Sequence, residues 1–265
     1  MNYMKIAFDI GGTSMRVAPV LSDGIGKEKK YPTPQDPKEG IAMLVQLALD
    51  VAAGERIEAV AGGIRGAVVN GVFLLDKILP QWEGTNLVTG ISEALDAPVQ
   101  IVHDTALIGW GEVHYGAGRG SKICAYITVS TGVGGDRIVD GRIDRSTYNP
   151  EIGRQLIDGV ELEDLVSGTA VEKKFGIHPK ELDSLEERNK LADILAIGLY
   201  NTVVHWSPDT IVLGGSMIVG VNPIPLSRVR ESFTKLLTMY PEVPVIEMAE
   251  LGDSGGLYGG RALLS

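Results

Sequence analysis

Cysteine is nearly absent: Cys124 is the single thiol in 265 residues. One thiol permits no internal disulfide and no multi-thiolate zinc or iron–sulfur site built by this chain alone. A reducing compartment, the cytoplasm, is the expected setting. Positive charge is also scarce. Lys and Arg number 24 against 34 Asp and Glu, a net charge of −10, which opposes any polyanion that must be gripped by basic side chains, so no nucleic-acid partner is expected. Phosphorylated small molecules stay admissible, because backbone N–H groups and a bound cation hold phosphate without net positive charge. Long hydrophobic runs are missing as well. The longest apolar stretch, Ile41 to Gly54, is interrupted by Gln46 and Asp50 and falls short of the roughly 20 residues that cross a bilayer. Met1 to Lys5 lead into a short strand rather than an apolar leader segment, so neither a signal peptide nor a membrane partner is expected.

Glycine, by contrast, is abundant at 34 residues, and it gathers at a few junctions, which points to turns and close ligand approach. Lys5 to Ile10, the pair Gly11-Gly12 and Met15 to Leu21 read as strand, tight turn, strand, with a third strand over Lys27 to Pro32. Asp36-Pro37 caps a helix whose apolar face uses Ile41, Leu44, Val45 and Ala48. Strands are expected at Ile57 to Val60, Ala67 to Phe73 and Val99 to Val102, with helices from about Thr85 and over Thr105 to Tyr115. Ile123 to Val129, Ser130 to Gly135 and Arg137 to Val139 repeat the opening pattern, so two similar lobes of α/β class are expected. Helices at Glu161 to Phe175 and Arg188 to Trp206, a strand at Thr210 to Leu213 and a short C-terminal helix complete the pattern.

The glycine turns carry the chemistry. Asp9-Ile10-Gly11-Gly12-Thr13 sets a carboxylate at a strand end, two residues able to take positive φ and then a hydroxyl, which suits a phosphate and its metal. By itself the segment is equally an ordinary hairpin with a Gly-Gly turn. A second turn of the same design at Ser130 to Gly135, and a third after an apolar strand at Gly214-Gly215-Ser216, shift the reading toward phosphate and adenosine. Asp104, alone, reads as the N-cap of the helix that follows it. No Gly-x-x-x-x-Gly-Lys-Ser/Thr loop and no His-Glu-x-x-His pair is present, so those nucleotide-binding and zinc-protease classes are excluded, and His114, His178 and His205 read as structural.

Taken in order, these segments resemble the ROK family of sugar kinases and related repressors, within the actin-like ATPase superfamily. Asp9 to Thr13 matches the first phosphate motif, Ser130 to Gly135 the second, and Ile211 to Ser216 the adenosine motif. Trp82, Gly84, Asn86, Leu87, His103-Asp104, Gly116-Ala117-Gly118, Ser167-Gly168 and Leu251-Gly252-Asp253 also stand at family-like positions. The resemblance implies a two-lobed, ribonuclease-H-like fold with a cleft between lobes, residues 1–106 and 253–265 forming one lobe and 107–252 the other. It implies ATP with magnesium and a sugar as ligands, and a homodimer. Asp9, Gly11, Gly12, Thr13, Thr131, Gly132, Gly134, Gly214, Gly215 and Ser216 would hold the nucleotide, with Asp9 on magnesium directly or through water. Gly66, His103, Asp104, Glu151, Arg154 and Glu163 would face the sugar, with Asp104 as the base that accepts the proton of the attacking hydroxyl.

Departures from the family pattern sharpen the expectation. The sugar-contacting Glu-x-Gly-His reads Glu151-Ile152-Gly153-Arg154 here, the cysteine cluster is missing, His103 replaces an asparagine, and Ile78 stands where an asparagine is common. No zinc site is expected, and Arg154 either pairs with Glu151 or another carboxylate or reaches the ligand. Family repressors carry a helix-turn-helix before the first motif, which begins here at Asp9, so a hexose kinase acting at the 6-hydroxyl is expected. Zinc-free relatives that use polyphosphate leave that donor as an alternative, with Lys27, Lys29 and Lys30 as the main basic cluster. A catalytically weak sugar sensor is the other.

Overall fold

The computed structural model describes residues 3–74 and 76–265; Met1, Asn2 and Leu75 lie outside them. Two units emerge, one of Met1–Gly111 with Asp253–Ser265 and the other of Glu112–Gly252.

The first unit is built from β1 (Tyr3–Ile10), β2 (Ser14–Val20), β3 (Lys29–Pro32), α1 (Pro37–Ala52), β4 (Arg56–Ile64), β5 (Val68–Val69), β6 (Val72–Phe73), α2 (Leu87–Leu95), β7 (Val99–His103) and α3 (Asp104–Tyr115), whose last residues pass into the second unit. Its sheet has the order β3-β2-β1-β4-β7. β1, β2 and β3 pair antiparallel, while β4 and β7 run parallel to β1. Ile6, Ala7, Phe8 and Ile10 of β1 are all buried, as expected for a central strand covered on both faces, each large apolar side chain contributing roughly 1.5–3 kcal/mol. Asp36 caps α1 by accepting from the N–H groups of Lys38 and Glu39 at 2.8 and 3.0 Å, and the helix buries Leu44, Leu47 and Ala48. The C-terminal helix Gly255–Leu263 returns to this sheet. Its glycines permit the approach: a Cβ on Gly259 would lie 2.0 Å from the Leu107 carbonyl, and one on Gly260 2.8 Å from that of Ala61.

The second unit follows with β8 (Ile123–Val129), β9 (Val133–Val139), β10 (Arg142–Ile143), β11 (Leu156–Ile157), β12 (Val160–Glu161), α4 (Leu162–Val166), α5 (Gly168–Phe175), α6 (Leu185–Trp206), β13 (Thr210–Gly214), α7 (Ser216–Val219), α8 (Leu226–Leu236) and β14 (Val245–Met248). The order β10-β9-β8-β13-β14 repeats that of the first sheet, again with an antiparallel triplet followed by two parallel strands. Glu112, fully buried, ties the two ends of this unit together. Its carboxylate accepts from the N–H groups of Ala117 (2.9 Å), Leu251 (2.9 Å) and Glu250 (3.2 Å).

Three of the expected elements take a different form, and α8 and β14 are not among those expected. Ala67 to Phe73 is a hairpin of two short strands, because Asn70 and Gly71 both take positive φ (51° and 80°) and turn the chain. Glu161 to Phe175 is two helices, since Ser167 is extended and its hydroxyl caps the second by accepting from Ala170 N–H at 3.1 Å. The helix expected from Thr85 begins at Leu87, after Asn86 accepts from Thr89 N–H at 3.0 Å. Among the described residues no helix is long and apolar enough to cross a membrane.

Candidate functional site

In the first unit, the carboxyl ends of the parallel strands β1, β4 and β7 bring Asp9 beside Gly63 and Ile64 beside His103, the edge of an α/β sheet where ligands commonly bind. Gly63 keeps this edge tight: a Cβ there would meet Asp104 Cα at 3.2 Å. Asp104 opens α3. Its Oδ1 accepts from Thr105 N–H at 2.6 Å and from the Thr105 hydroxyl at 3.2 Å, and lies 3.3 Å from His103 Nε2. His103 Nδ1 is buried with no hydrogen-bond partner among the described residues.

Asp9 is electrostatically the most perturbed carboxyl here. Burial raises its pKa to about 7; Asp104 adds to the rise, and so, less strongly, do Asp253 and Glu28, while Arg16 opposes it. Arg16 faces Asp9 across the hairpin and pairs with Asp253 at 2.9 Å. The C-terminal helix presses close, since a Cβ on Gly256 would sit 2.6 Å from Asp9 Cγ. Such crowding of carboxylates suits a divalent cation. Magnesium binds through one or two carboxylates and completes its shell with water and phosphate oxygens, and a carboxylate at this edge such as Asp9 is the donor type it takes. Cys124 is buried in β8, and burial pushes its thiol up to about 12.

The first turn corrects one expectation. Neither Gly11 nor Gly12 adopts positive φ; what Gly12 supplies is space that neighbouring side chains occupy. A Cβ on Gly12 would lie 2.7 Å from Ile78 Cγ2 and 2.9 Å from Arg65 Nη1. Thr33, buried, straps the turn from the outside: its hydroxyl donates to the Gly11 carbonyl at 2.7 Å and its N–H to that of Thr13 at 3.1 Å. Gly66 does take positive φ, 81°, and packs against Asp76 and Phe73.

The second unit repeats the device. Between β8 and β9 the Ser130 N–H donates to the Gly132 carbonyl at 2.8 Å, and Gly168 N–H donates to that of Ser130 at 2.7 Å. Here Thr169 is the strap, its hydroxyl donating to the Thr131 carbonyl at 2.7 Å. Gly134 lies in β9 opposite Thr128, and Gly214 ends β13 opposite the same residue. Gly215 takes φ of 89° with no space for a side chain, a Cβ meeting the Val129 carbonyl at 2.3 Å. Ser216 then bonds Ser130 hydroxyl to hydroxyl at 3.0 Å. Beside these residues is a cavity of about 160 Å³, lined by Thr131, Thr169 and Ser216 together with Glu172, Lys180 and Val221. Thr169 and the last three are absent from the expected set, because they lie outside the three glycine turns.

Glu163 lies beneath this second turn. Its Oε2 accepts from Val133 N–H at 2.8 Å, and a Cβ on Gly132 would approach that oxygen to 2.4 Å. Glu151 is exposed and precedes the short turn Ile152–Arg154, which packs on β9 through Gly153. Arg154 is also exposed and pairs with Glu161, which holds its guanidinium above the usual range, Glu163 and Glu151 adding smaller contributions. The carboxylate that takes Arg154 is thus Glu161 of β12.

Comparison with known proteins identifies the family and the fold. The model of the ROK family matches residues 5–265. A fructokinase of Zymomonas mobilis is 31% identical over 216 residues, covering 72% of this chain and 70% of that protein. The fold is that of the ROK hexokinase from Thermus thermophilus, with a TM-score of 0.86 at 24% identity over 98% of this chain and 97% of that one. It is also that of a ROK glucokinase from Streptomyces griseus solved with glucose and AMPPNP, with a TM-score of 0.81 at 22% identity over 98% of each chain.

Proposed function

This chain belongs to the ROK family, and from that premise we propose that it is a cytoplasmic kinase that transfers the terminal phosphoryl group of ATP to the 6-hydroxyl of a hexose. The observation that carries the reading is the pairing, at one strand edge, of Asp104 with the strongly perturbed Asp9 beside a glycine turn. Fructokinase and glucokinase relatives support a hexose as acceptor. The AMPPNP bound by the Streptomyces enzyme, and the cavity beside Thr131 and Ser216, support a nucleotide as donor.

In this reading Asp104 is the base. Its Oδ1 is committed to Thr105 and His103, and Oδ2 receives the hydroxyl proton as the sugar oxygen bonds to the terminal phosphorus and the bond to the departing ADP breaks, a contribution of roughly 10²–10⁴-fold. In this reading the glycine turns would offer the phosphates those N–H groups that the turns leave free, so catalysis is mostly positioning and charge stabilisation. Asp9 would hold magnesium, directly or through water, and the ion would draw negative charge from the phosphate oxygens. Gly11, Gly12 and Thr13 bind donor phosphates in the first unit; Thr131, Gly132, Gly134, Gly214, Gly215 and Ser216 bind the rest of the nucleotide. Gly66, His103, Glu151 and Glu163 contribute to the sugar pocket, the glutamates by accepting hydroxyl hydrogen bonds; Arg154, held by Glu161, shapes it.

Glucose and its 6-deoxy analogue test the assignment of the 6-hydroxyl. Incubation with ATP and magnesium, followed by mass analysis, should give a hexose monophosphate from glucose or fructose and none from 6-deoxyglucose. Phosphorylation of the 6-deoxy sugar would refute transfer to that hydroxyl.

A further inference from the structure

Arg65 lies outside every glycine motif, yet the fold delivers it to the first phosphate turn. It directly follows β4, and its N–H donates to the Ile10 carbonyl at 3.0 Å, extending the β1–β4 register by one residue. The side chain then lies over Gly12, where a Cβ would come within 2.9 Å of Nη1 and 3.0 Å of Cδ. Asp76 fixes the guanidinium by its inner edge: Oδ1 accepts from Nε at 3.2 Å and from the N–H groups of Ile78 and Leu79 at 2.8 and 3.0 Å. The Asp76 side chain is only 12% exposed, whereas that of Arg65 is 36% exposed. One edge of the fork is therefore anchored in protein, and Nη1 is carried to the turn.

We propose that Arg65 is a further catalytic residue, whose guanidinium contacts the phosphoryl group being transferred at the Gly11-Gly12 turn. The inference rests on the kinase reading above. A guanidinium only donates and keeps its charge, so it complements phosphate oxygens, which only accept, better than sugar hydroxyls, which do both. It forms no bond to the substrate. It offsets the negative charge that spreads over the equatorial oxygens in the transition state, as an arginine supplied within the same chain does in other phosphoryl-transfer enzymes.

Arg65→Gln and Arg65→Lys test this against the parent, with thermal unfolding as the check that each variant folds. The expected result for Arg65→Gln is a kcat lower by about 10²-fold or more, with the hexose KM changed by less than about twofold. Arg65→Lys recovers only part of the loss, because an ammonium keeps the charge without the fork, and it carries the test alone if the glutamine variant fails to fold. A binding measurement without sugar separates this inference from the kinase reading itself. Titration with AMPPNP and with AMP should show weaker binding of AMPPNP to the variants and unchanged binding of AMP, even if the parent phosphorylates no hexose. An increase confined to the hexose KM, or kinetics and nucleotide affinities equal to the parent's, would overturn the proposal.

Discussion

The turn after β1 and the turn after β8 are built alike and charged differently. Each joins two antiparallel strands at the head of an equivalent five-stranded sheet, and each has a carbonyl pulled away by a threonine hydroxyl at 2.7 Å, from Thr33 in one and Thr169 in the other. Around the first stand Asp9, Asp104, Asp253 and Arg16. Around the second stand Ser130, Ser216 and Thr131, with the carboxylate of Glu163 spent on a backbone N–H. The common scaffold explains how either turn can cradle phosphate. On the function proposed above, bond making and the cation are assigned to the first turn, and the grip on the nucleotide to the second, beside its cavity.

The largest expected effects come from the two aspartates, Asp104→Asn and Asp9→Asn. With Asp104→Asn, turnover should fall by about 10²-fold or more while AMPPNP affinity stays within about twofold of the parent's; near-normal turnover would make Asp104 no more than the first residue of α3. Asp9→Asn separates function from stability. Turnover should drop by about 10²–10³-fold, yet the ligand-free variant should be more stable than the parent at high pH. The sign follows from the raised pKa. Between pH about 4 and about 7 the unfolded chain ionises Asp9 while the folded chain keeps it protonated, so burial of this group lowers stability progressively over that window, and the loss is complete above pH 7. At roughly 1.4 kcal/mol per unit the full effect is of order 4 kcal/mol. Thermal unfolding in chelator at pH 5 and pH 8 should show the gap between variant and parent widening with pH, and a constant gap would refute the assignment.

Much of this site is legible in the sequence because turn chemistry is local. Asp9-Ile10-Gly11-Gly12-Thr13 and Gly214-Gly215-Ser216 declare themselves through residue type and a preceding apolar strand. What the glycines do is less legible: Gly215 needs positive φ, but Gly11 and Gly12 do not, and Gly12 is small because Ile78 and Arg65 arrive over it from distant segments. Thr33 and Thr169 escape notice for the same reason, since a strap is a tertiary contact with no local pattern. Glu163 shows the opposite case. Its position suggests a sugar ligand, whereas one of its oxygens supports the turn at Val133, a role that only the packing of α4 under β9 reveals. The repeated sheet topology is readable as a repeated hairpin, but the break at Ser167 depends on the bond from Gly168 to Ser130 across the unit.

The two straps give a smaller effect that probes the division directly. Thr33→Val and Thr169→Val each remove one hydrogen bond, worth about 1 kcal/mol. The first should lower kcat by about fivefold and the second raise the ATP KM by about fivefold, with serine at either position restoring the parent value. Equal effects on both parameters would erase the distinction between the turns. Smallest of all is Arg154→His. An exposed ion pair with Glu161 contributes less than about 1 kcal/mol, so stability and the relative kcat/KM values for glucose, fructose and mannose should each change by less than that equivalent. A switch in preferred hexose would mean that the guanidinium meets the substrate.

The central claim is sugar-dependent transfer from a nucleotide, and the most direct test is ADP release by the unmodified protein with magnesium, across a panel of hexoses, with polyphosphate as the competing donor. The account predicts ADP release that requires both ATP and one or more hexoses, and little hexose phosphate from polyphosphate alone. ADP release indifferent to every sugar, or efficient phosphorylation from polyphosphate and none from ATP, would contradict it.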